Sequence, residues 1–143
     1  MRVSEVMTRD VQTVRPEQRV QEAASFMLSA DAGSIPVLEG DRLIGMITDR
    51  DITVRSVAEG YDPWTTQVRE VMSRGEIYSC YEDEDVEDAA RVMRDKQVRR
   101  LPVLNRQQRL VGIVSLGDVA TGTGDVRRAG ETLRDVSQPA ARR

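Results

Sequence analysis

Leu43-Ile44-Gly45-Met46-Ile47-Thr48-Asp49-Arg50-Asp51 returns later in the chain as Leu110-Val111-Gly112-Ile113-Val114-Ser115-Leu116-Gly117-Asp118. Each stretch is a short apolar run with an internal glycine, followed by a hydroxyl residue and an aspartate three places on. An apolar run of that length bounded by polar turns reads as a strand, and Thr/Ser-x-x-Asp reads as the start of a helix. The repetition extends outward in both directions. Pro36-Val37-Leu38 matches Pro102-Val103-Leu104, and Val20, Ala23, Ala24 and Met27 match Val86, Ala89, Ala90 and Met93. Val3-Ser4-Glu5-Val6-Met7 matches Val68-Arg69-Glu70-Val71-Met72. The offset grows from 65 to 66 to 67, one residue at each of two loops, where insertions are tolerated. The chain is two copies of one unit. Residues 1–67 hold the first copy and a linker, 68–124 the second copy, and 125–143 a C-terminal helix and tail.

Each copy carries the same series of elements. A β-branched stretch opens it, Val11-Gln12-Thr13-Val14 or Ile77-Tyr78-Ser79-Cys80. In the first copy Val20, Ala23, Ala24, Met27 and Leu28 then fall on one helical face. In the second, Glu82-Asp83-Glu84-Asp85 precedes the helix and can cap it. Two apolar runs around a polar turn follow as a hairpin, with Pro36 and Pro102 at strand starts or edges. A second helix opens at Thr48 or Ser115. The order β-α-β-β-α predicts an α/β (α+β) fold of two units packed through their sheets with pseudo-two-fold symmetry.

Composition excludes several chemistries. The 143 residues are 39% hydrophobic and 31% charged, with a net charge of −3, which suits a globular chain with no general pull toward nucleic acid or anionic lipid. There is no histidine and one cysteine. Imidazole ligation, histidine-based triads, internal disulfides and multi-cysteine zinc sites are therefore closed to it. Walker A and GxGxxG motifs are missing, and the scattered carboxylates lack metal-loop spacing. No apolar run approaches a membrane span or signal core. A cytoplasmic protein without catalytic residues, metal or membrane contact is the expectation. Cys80 reads as buried and inert, and Trp64 as packing across the two copies.

The paired motifs have two compatible readings. Thr48 with Asp51, and Ser115 with Asp118, have the spacing of a capping box with a carboxylate at its third position. The same groups place a hydroxyl, a carboxylate and backbone N–H groups around one spot, which suits a phosphate and a ribose diol.

Taken together, Val6-Met7-Thr8, Val71-Met72-Ser73, Gly33-Ser34-Ile35-Pro36-Val37, Val98-Arg99-Arg100-Leu101-Pro102-Val103 and the two strand–helix motifs resemble a tandem pair of CBS domains. This is the ligand-sensing module named after cystathionine beta-synthase and often called a Bateman module. The linker Ala58–Val68 is similar to that of small stand-alone actinobacterial members of the hypoxic-response type. The resemblance covers the chain to about Val119. It implies an adenine-containing ligand (AMP, ADP, ATP or S-adenosylmethionine) in the cleft between the copies, with no obligatory cofactor. Asp51 and Asp118 would hold ribose hydroxyls, with Thr48 and Ser115 beside ribose or phosphate. Ser34 and Ile35 in one copy, and Arg99, Arg100 and Leu101 in the other, would meet the base, with Thr13 and Val14 against the same cleft.

Arg50, Arg99 and Arg100 are phosphate candidates. Leu116-Gly117 replaces Asp49-Arg50, so the two sites are not equivalent. The resemblance further implies a homodimer and an effector protein as partner. Two alternatives stand beside this reading: an interaction or dimerisation module with vestigial sites, and a nucleic-acid-binding module using the arginines of the tail. That tail is expected to be helical to about Val136, with Val126, Ala129 and Leu133 as a weak apolar face and Pro139 ending it.

Overall fold

The computed structural model describes residues 1–73, 77–123 and 126–139. The chain divides into two compact units: Gln12–Ile77, and Met1–Val11 together with the chain from Tyr78 onward. It is a mixed α/β fold of two repeated units.

In the Gln12–Ile77 unit, α1 (Val20–Ala30) ends at Asp31, which takes the left-handed conformation at φ 50. Strands β1 (Ser34–Glu39) and β2 (Arg42–Thr48) pair antiparallel around Gly40, whose φ of 62 suits the tight turn. A helix then starts at α2 (Asp49–Asp51) and widens into a π-helical turn over Ile52–Val57. After the linker comes the short helix α3 (Val68–Val71). The β stretch expected at Val11–Val14 contributes one parallel bridge, Val14 to Val37. It is held by Val14 N to Pro36 O at 3.0 Å and Leu38 N to Val14 O at 2.9 Å. Pro36 sits in β1 as acceptor only, as its missing N–H requires.

In the other unit, β3 (Cys80–Tyr81) lies parallel to β4 (Arg100–Leu104), which pairs antiparallel with β5 (Leu110–Ser115). Helix α4 (Val86–Lys96) is capped by Asp85, whose carboxylate accepts from Glu87 N at 2.8 Å. The last residue of the acidic run before it is thus the cap. Helices α5 (Leu116–Thr123) and α6 (Val126–Ser137) complete the unit.

The repeat and the spatial unit are cut at different places. Val68 and Val71 open the second copy in sequence, yet they are fully buried in the core built on Ile35, Val37 and Ile47 of the first. Val3 and Met7 open the first copy and lie in the core of Leu101, Val103 and Val114 of the second. Each fully buried valine contributes on the order of 1.5 kcal/mol or more. The glycine of each second strand receives the crossing segment. A Cβ on Gly112 would stand 2.7 Å from Thr8 O and 2.8 Å from Met7 Sδ; one on Gly45 would stand 3.4 Å from Met72 Sδ and Ser73 O.

The predicted face of the first helix is too wide for α1. Val20, Ala23 and Met27 are buried, but Ala24 is exposed and Leu28 is 85% exposed. The equivalent face of α4 buries Val86, Ala89, Ala90 and Met93 entirely. Helix α6 packs on α4 and covers the edge that α1 leaves open to solvent. Trp64 also departs from expectation: it is 58% exposed, with the Arg19 guanidinium 5.9 Å above its ring.

Candidate ligand cleft

Both copies build the same local frame where the hairpin meets the helix. Ser34 pairs with Thr48 across β1 and β2, and Arg100 with Ser115 across β4 and β5. Asp49 N donates to Gly33 O at 2.9 Å, and Leu116 N to Arg99 O at 2.9 Å. The residues ahead of each Pro-Val are thereby drawn beside the hydroxyl residue that starts the helix.

The capping geometry is present twice. Thr48 N donates to Asp51 Oδ2 at 2.9 Å, and Asp51 N to Thr48 Oγ1 at 3.0 Å. Ser115 N donates to Asp118 Oδ2 at 2.9 Å, and Asp118 N to Ser115 Oγ at 3.0 Å. The surroundings differ. Asp51 is only 7% exposed. Its carboxylate also accepts the Ser73 hydroxyl and lies 3.9 Å from Arg55 Nε. Asp118 is half-buried, and among the described residues its Oδ1 has no hydrogen-bond partner.

Arg99, Arg100 and Ser115 converge on one cleft of about 590 Å³, lined also by Leu116, Gly117, Ala120, Gly130 and Leu133. That volume falls within the roughly 300–1,000 Å³ of small-molecule sites. Both arginines are exposed, and among the described residues neither has an ion-pair partner. The cleft lies within the unit that contains the chain from Tyr78 on.

The other expected residues are placed as follows. In the first copy Thr13, Ser34 and Thr48 are half-buried. Arg50 is exposed, its backbone N–H held by Asp49 Oδ1 at 2.8 Å. Ile35, Val14 and, in the second copy, Leu101 are core side chains, at most 1% exposed. The first copy carries a carboxylate where the second carries Leu116: Asp49 Oδ2 would stand 3.1 Å from a Cβ on Gly33.

Sequence reasoning missed Gly130 and Leu133, which lie outside the repeat, and Ser73, whose partner is distant in sequence. A helix ending in the expected Arg-rich tail was legible, but not the side it presents. Among its described side chains, Thr132 and Val136 are the buried ones, whereas Leu133 lines the cleft. The side chains of Val126 and Ala129, expected on its apolar face, lie outside the described residues.

Cys80 is buried, its Sγ 4.0 Å from Pro102 O. Burial, with Glu84 nearby, pushes its thiol up to about 12, so it stays protonated and unreactive at neutral pH. Among the described residues no three His, Cys, Asp or Glu side chains converge as a metal would need. Among them, too, no helix is long and apolar enough to cross a membrane.

A family model described as CBS domain matches residues 3–57 and again residues 68–122. The chain belongs to the CBS-domain family. This CBS pair is 46% identical over 135 residues to the CBS domain-containing protein YhcV of Bacillus subtilis, covering 94% of each chain. YhcV therefore has no length to spare for a separate catalytic domain. The pair is 38% identical over 117 residues to hypoxic response protein 1 of Mycobacterium tuberculosis, covering 81% of this chain and 80% of that one.

Among solved structures, Hypoxic Response Protein I with two coordinated zinc ions superposes with a TM-score of 0.76 at 35% identity. The match covers 85% of this chain and 98% of that one. This CBS pair has no histidine, and its one cysteine is buried, so imidazole and accessible thiolate ligands for zinc are not available to it. The CBS domain pair of MJ0100, in complex with 5′-methylthioadenosine and S-adenosyl-L-methionine, shares the fold at a TM-score of 0.75 and 24% identity, over 88% of this chain and 98% of that one.

Proposed function

We propose that this CBS pair is a non-catalytic regulatory module that binds an adenine-containing ligand and relays its occupancy to a partner protein, acting as a cytoplasmic homodimer. The observation that carries the reading is the cleft where Arg99, Arg100 and Ser115 meet Leu116 and Ala120. Two guanidinium groups without a described ion-pair partner suit a phosphate. The apolar edge suits a planar base. Asp118, tied to Ser115 by the capping box, keeps one acceptor oxygen for ribose hydroxyls. Among the candidate ligands, AMP, ADP and ATP match the two arginines better than S-adenosylmethionine, whose sulfonium they repel. The first copy, with Asp49 near Gly33 and Asp51 occupied by Ser73, is the weaker phosphate site. Ligand binding would act by favouring one arrangement of the module over another.

Titration calorimetry and thermal shift with AMP, ADP, ATP and S-adenosylmethionine test the reading. At a hundredfold excess over its dissociation constant, a true ligand raises stability by about 2.7 kcal/mol. Asp118→Ala is expected to weaken nucleotide binding about tenfold or more, the equivalent of about 1.4 kcal/mol. No heat and no shift with any of the four compounds would overturn the ligand reading in favour of an interaction module with vestigial sites.

A further inference from the structure

Helix α6 lies outside both repeats, yet two of its residues line the cleft. It is anchored by a neighbouring side of the helix. Thr132 is fully buried and accepts from Arg94 Nη1 at 3.3 Å, and Val136 joins the core. At its end, Gln97 Nε2 donates to Gln138 O at 2.9 Å. The cleft side shows two features that the helix's own packing does not account for. Leu133 is 47% exposed, a large apolar side chain with a face left to water. Gly130 stands in the interior of the helix, where glycine is the poorest residue after proline. No close approach demands it, because a Cβ there would meet nothing within 4 Å.

We infer that α6 is the third wall of the nucleotide cleft. Leu133 covers the apolar part of the ligand, and Gly130 is small so that the ligand can enter. Arg99 and Arg100, which line the same cleft, take the phosphate. The inference rests on the adenosine-ligand reading above and adds to it a wall that the repeat does not encode. The first copy has no equivalent, since no described helix plays the part of α6 there. The proposed site is thus selective for one copy because of a segment that belongs to neither.

The full chain is titrated with AMP as wild type and as Gly130→Leu, Glu131→Leu and Ser115→Ala. Ser115→Ala identifies which part of the isotherm belongs to this cleft. Gly130→Leu is expected to weaken that part about tenfold or more without lowering the thermal midpoint. Glu131→Leu adds the same bulk at a residue outside the cleft lining, where Glu131 pairs with Arg127 at 3.2 Å, and is expected to leave binding unchanged. As a direct readout, 2-azido-AMP photolysed on the wild-type chain is expected to label the tryptic peptide 129–134, and excess AMP to suppress the label. This readout decides the matter if Gly130→Leu fails to fold. AMP binding that is lost in Ser115→Ala but kept in Gly130→Leu, with no label on that peptide, overturns the wall and leaves the adenosine reading standing. A wild-type chain that binds no AMP overturns both.

Discussion

Ser73 donates its hydroxyl to both carboxylate oxygens of Asp51, at 3.1 Å to Oδ1 and 2.9 Å to Oδ2. The bond joins the opening segment of the second repeat to the helix cap of the first, inside one compact unit. Hydrogen bonds to a buried charge contribute about 1.5–3 kcal/mol. Ser73→Ala is expected to lower stability in urea unfolding by about that amount, and to cost almost nothing in an Asp51→Ala background. Equal costs in both backgrounds would show that the two residues are not coupled.

The two strand glycines should respond differently to a methyl group. Gly112→Ala drives a Cβ to 2.7 Å from the Thr8 carbonyl, a backbone atom that cannot turn aside. Overpacking of this kind costs about 1–3 kcal/mol, and the upper end is expected. Gly45→Ala places its Cβ 3.4 Å from Met72 Sδ and Ser73 O, so a cost of about 1 kcal/mol or less is expected. Denaturation midpoints of the two variants check the ranking.

Ser56 is fully buried in the π-helical turn, and its Oγ is without a hydrogen-bond partner in the described structure. A buried, unsatisfied hydroxyl costs about 1–3 kcal/mol. Ser56→Ala is therefore expected to stabilise the chain by about 1 kcal/mol, measured by urea unfolding. A loss of stability would mean that the hydroxyl is satisfied.

Acid weakens a defined surface pair. Arg106 donates to both oxygens of Asp83, at 3.0 and 2.9 Å. These side-chain hydrogen bonds hold the Asp83 carboxyl below its ordinary value. A depressed carboxyl stabilises the fold above its unfolded value of roughly 4, and that contribution drains as pH falls through the lower folded value. Arg106→Gln is expected to flatten this part of the stability–pH curve below pH ~4, with a small loss of stability at neutral pH that vanishes in acid. NMR titration of the Asp83 carboxyl is the measurement.

Cys80 provides a probe of opening. With its thiol pushed up to about 12 and its side chain buried, reaction with a disulfide reagent at neutral pH is expected only through unfolding. Its rate should rise with denaturant in step with the unfolded fraction. Rapid stoichiometric labelling of the native chain would contradict the burial.

What was legible in the sequence was local or repeated. The capping boxes of Thr48 with Asp51 and Ser115 with Asp118 are pairs three residues apart, and a three-residue spacing at a helix start admits few geometries. The hairpins were marked by turn residues between apolar runs. The extent of burial on the first helices was not legible: Ala24 and Ala90 hold equivalent places, but only Ala90 has α6 nearby to cover its helix. The bond between Ser73 and Asp51 spans 22 residues and depends on which unit the Val-Met-Ser segment joins, a choice that the repeated motif leaves open. Arg99 and Arg100 stand out in the sequence by their place before Pro-Val. Their meeting with Leu133 required knowing where a helix outside the repeat would dock.

The exchange of opening segments has a consequence during synthesis. Residues 1–11 are made before residues 12–77 but pack with a unit that is complete only when α6 has been made, on the order of ten seconds later at ordinary elongation rates. Meanwhile β2 and its Gly45 have already emerged. They form the docking surface meant for Val71-Met72-Ser73, and the waiting Val6-Met7-Thr8 carries nearly the same side chains. Until Val68 and Val71 are made, the two similar segments compete for one berth only in the sense that the earlier one is already present. Duplication supplied this chain with two cores and with a built-in competitor for the first of them.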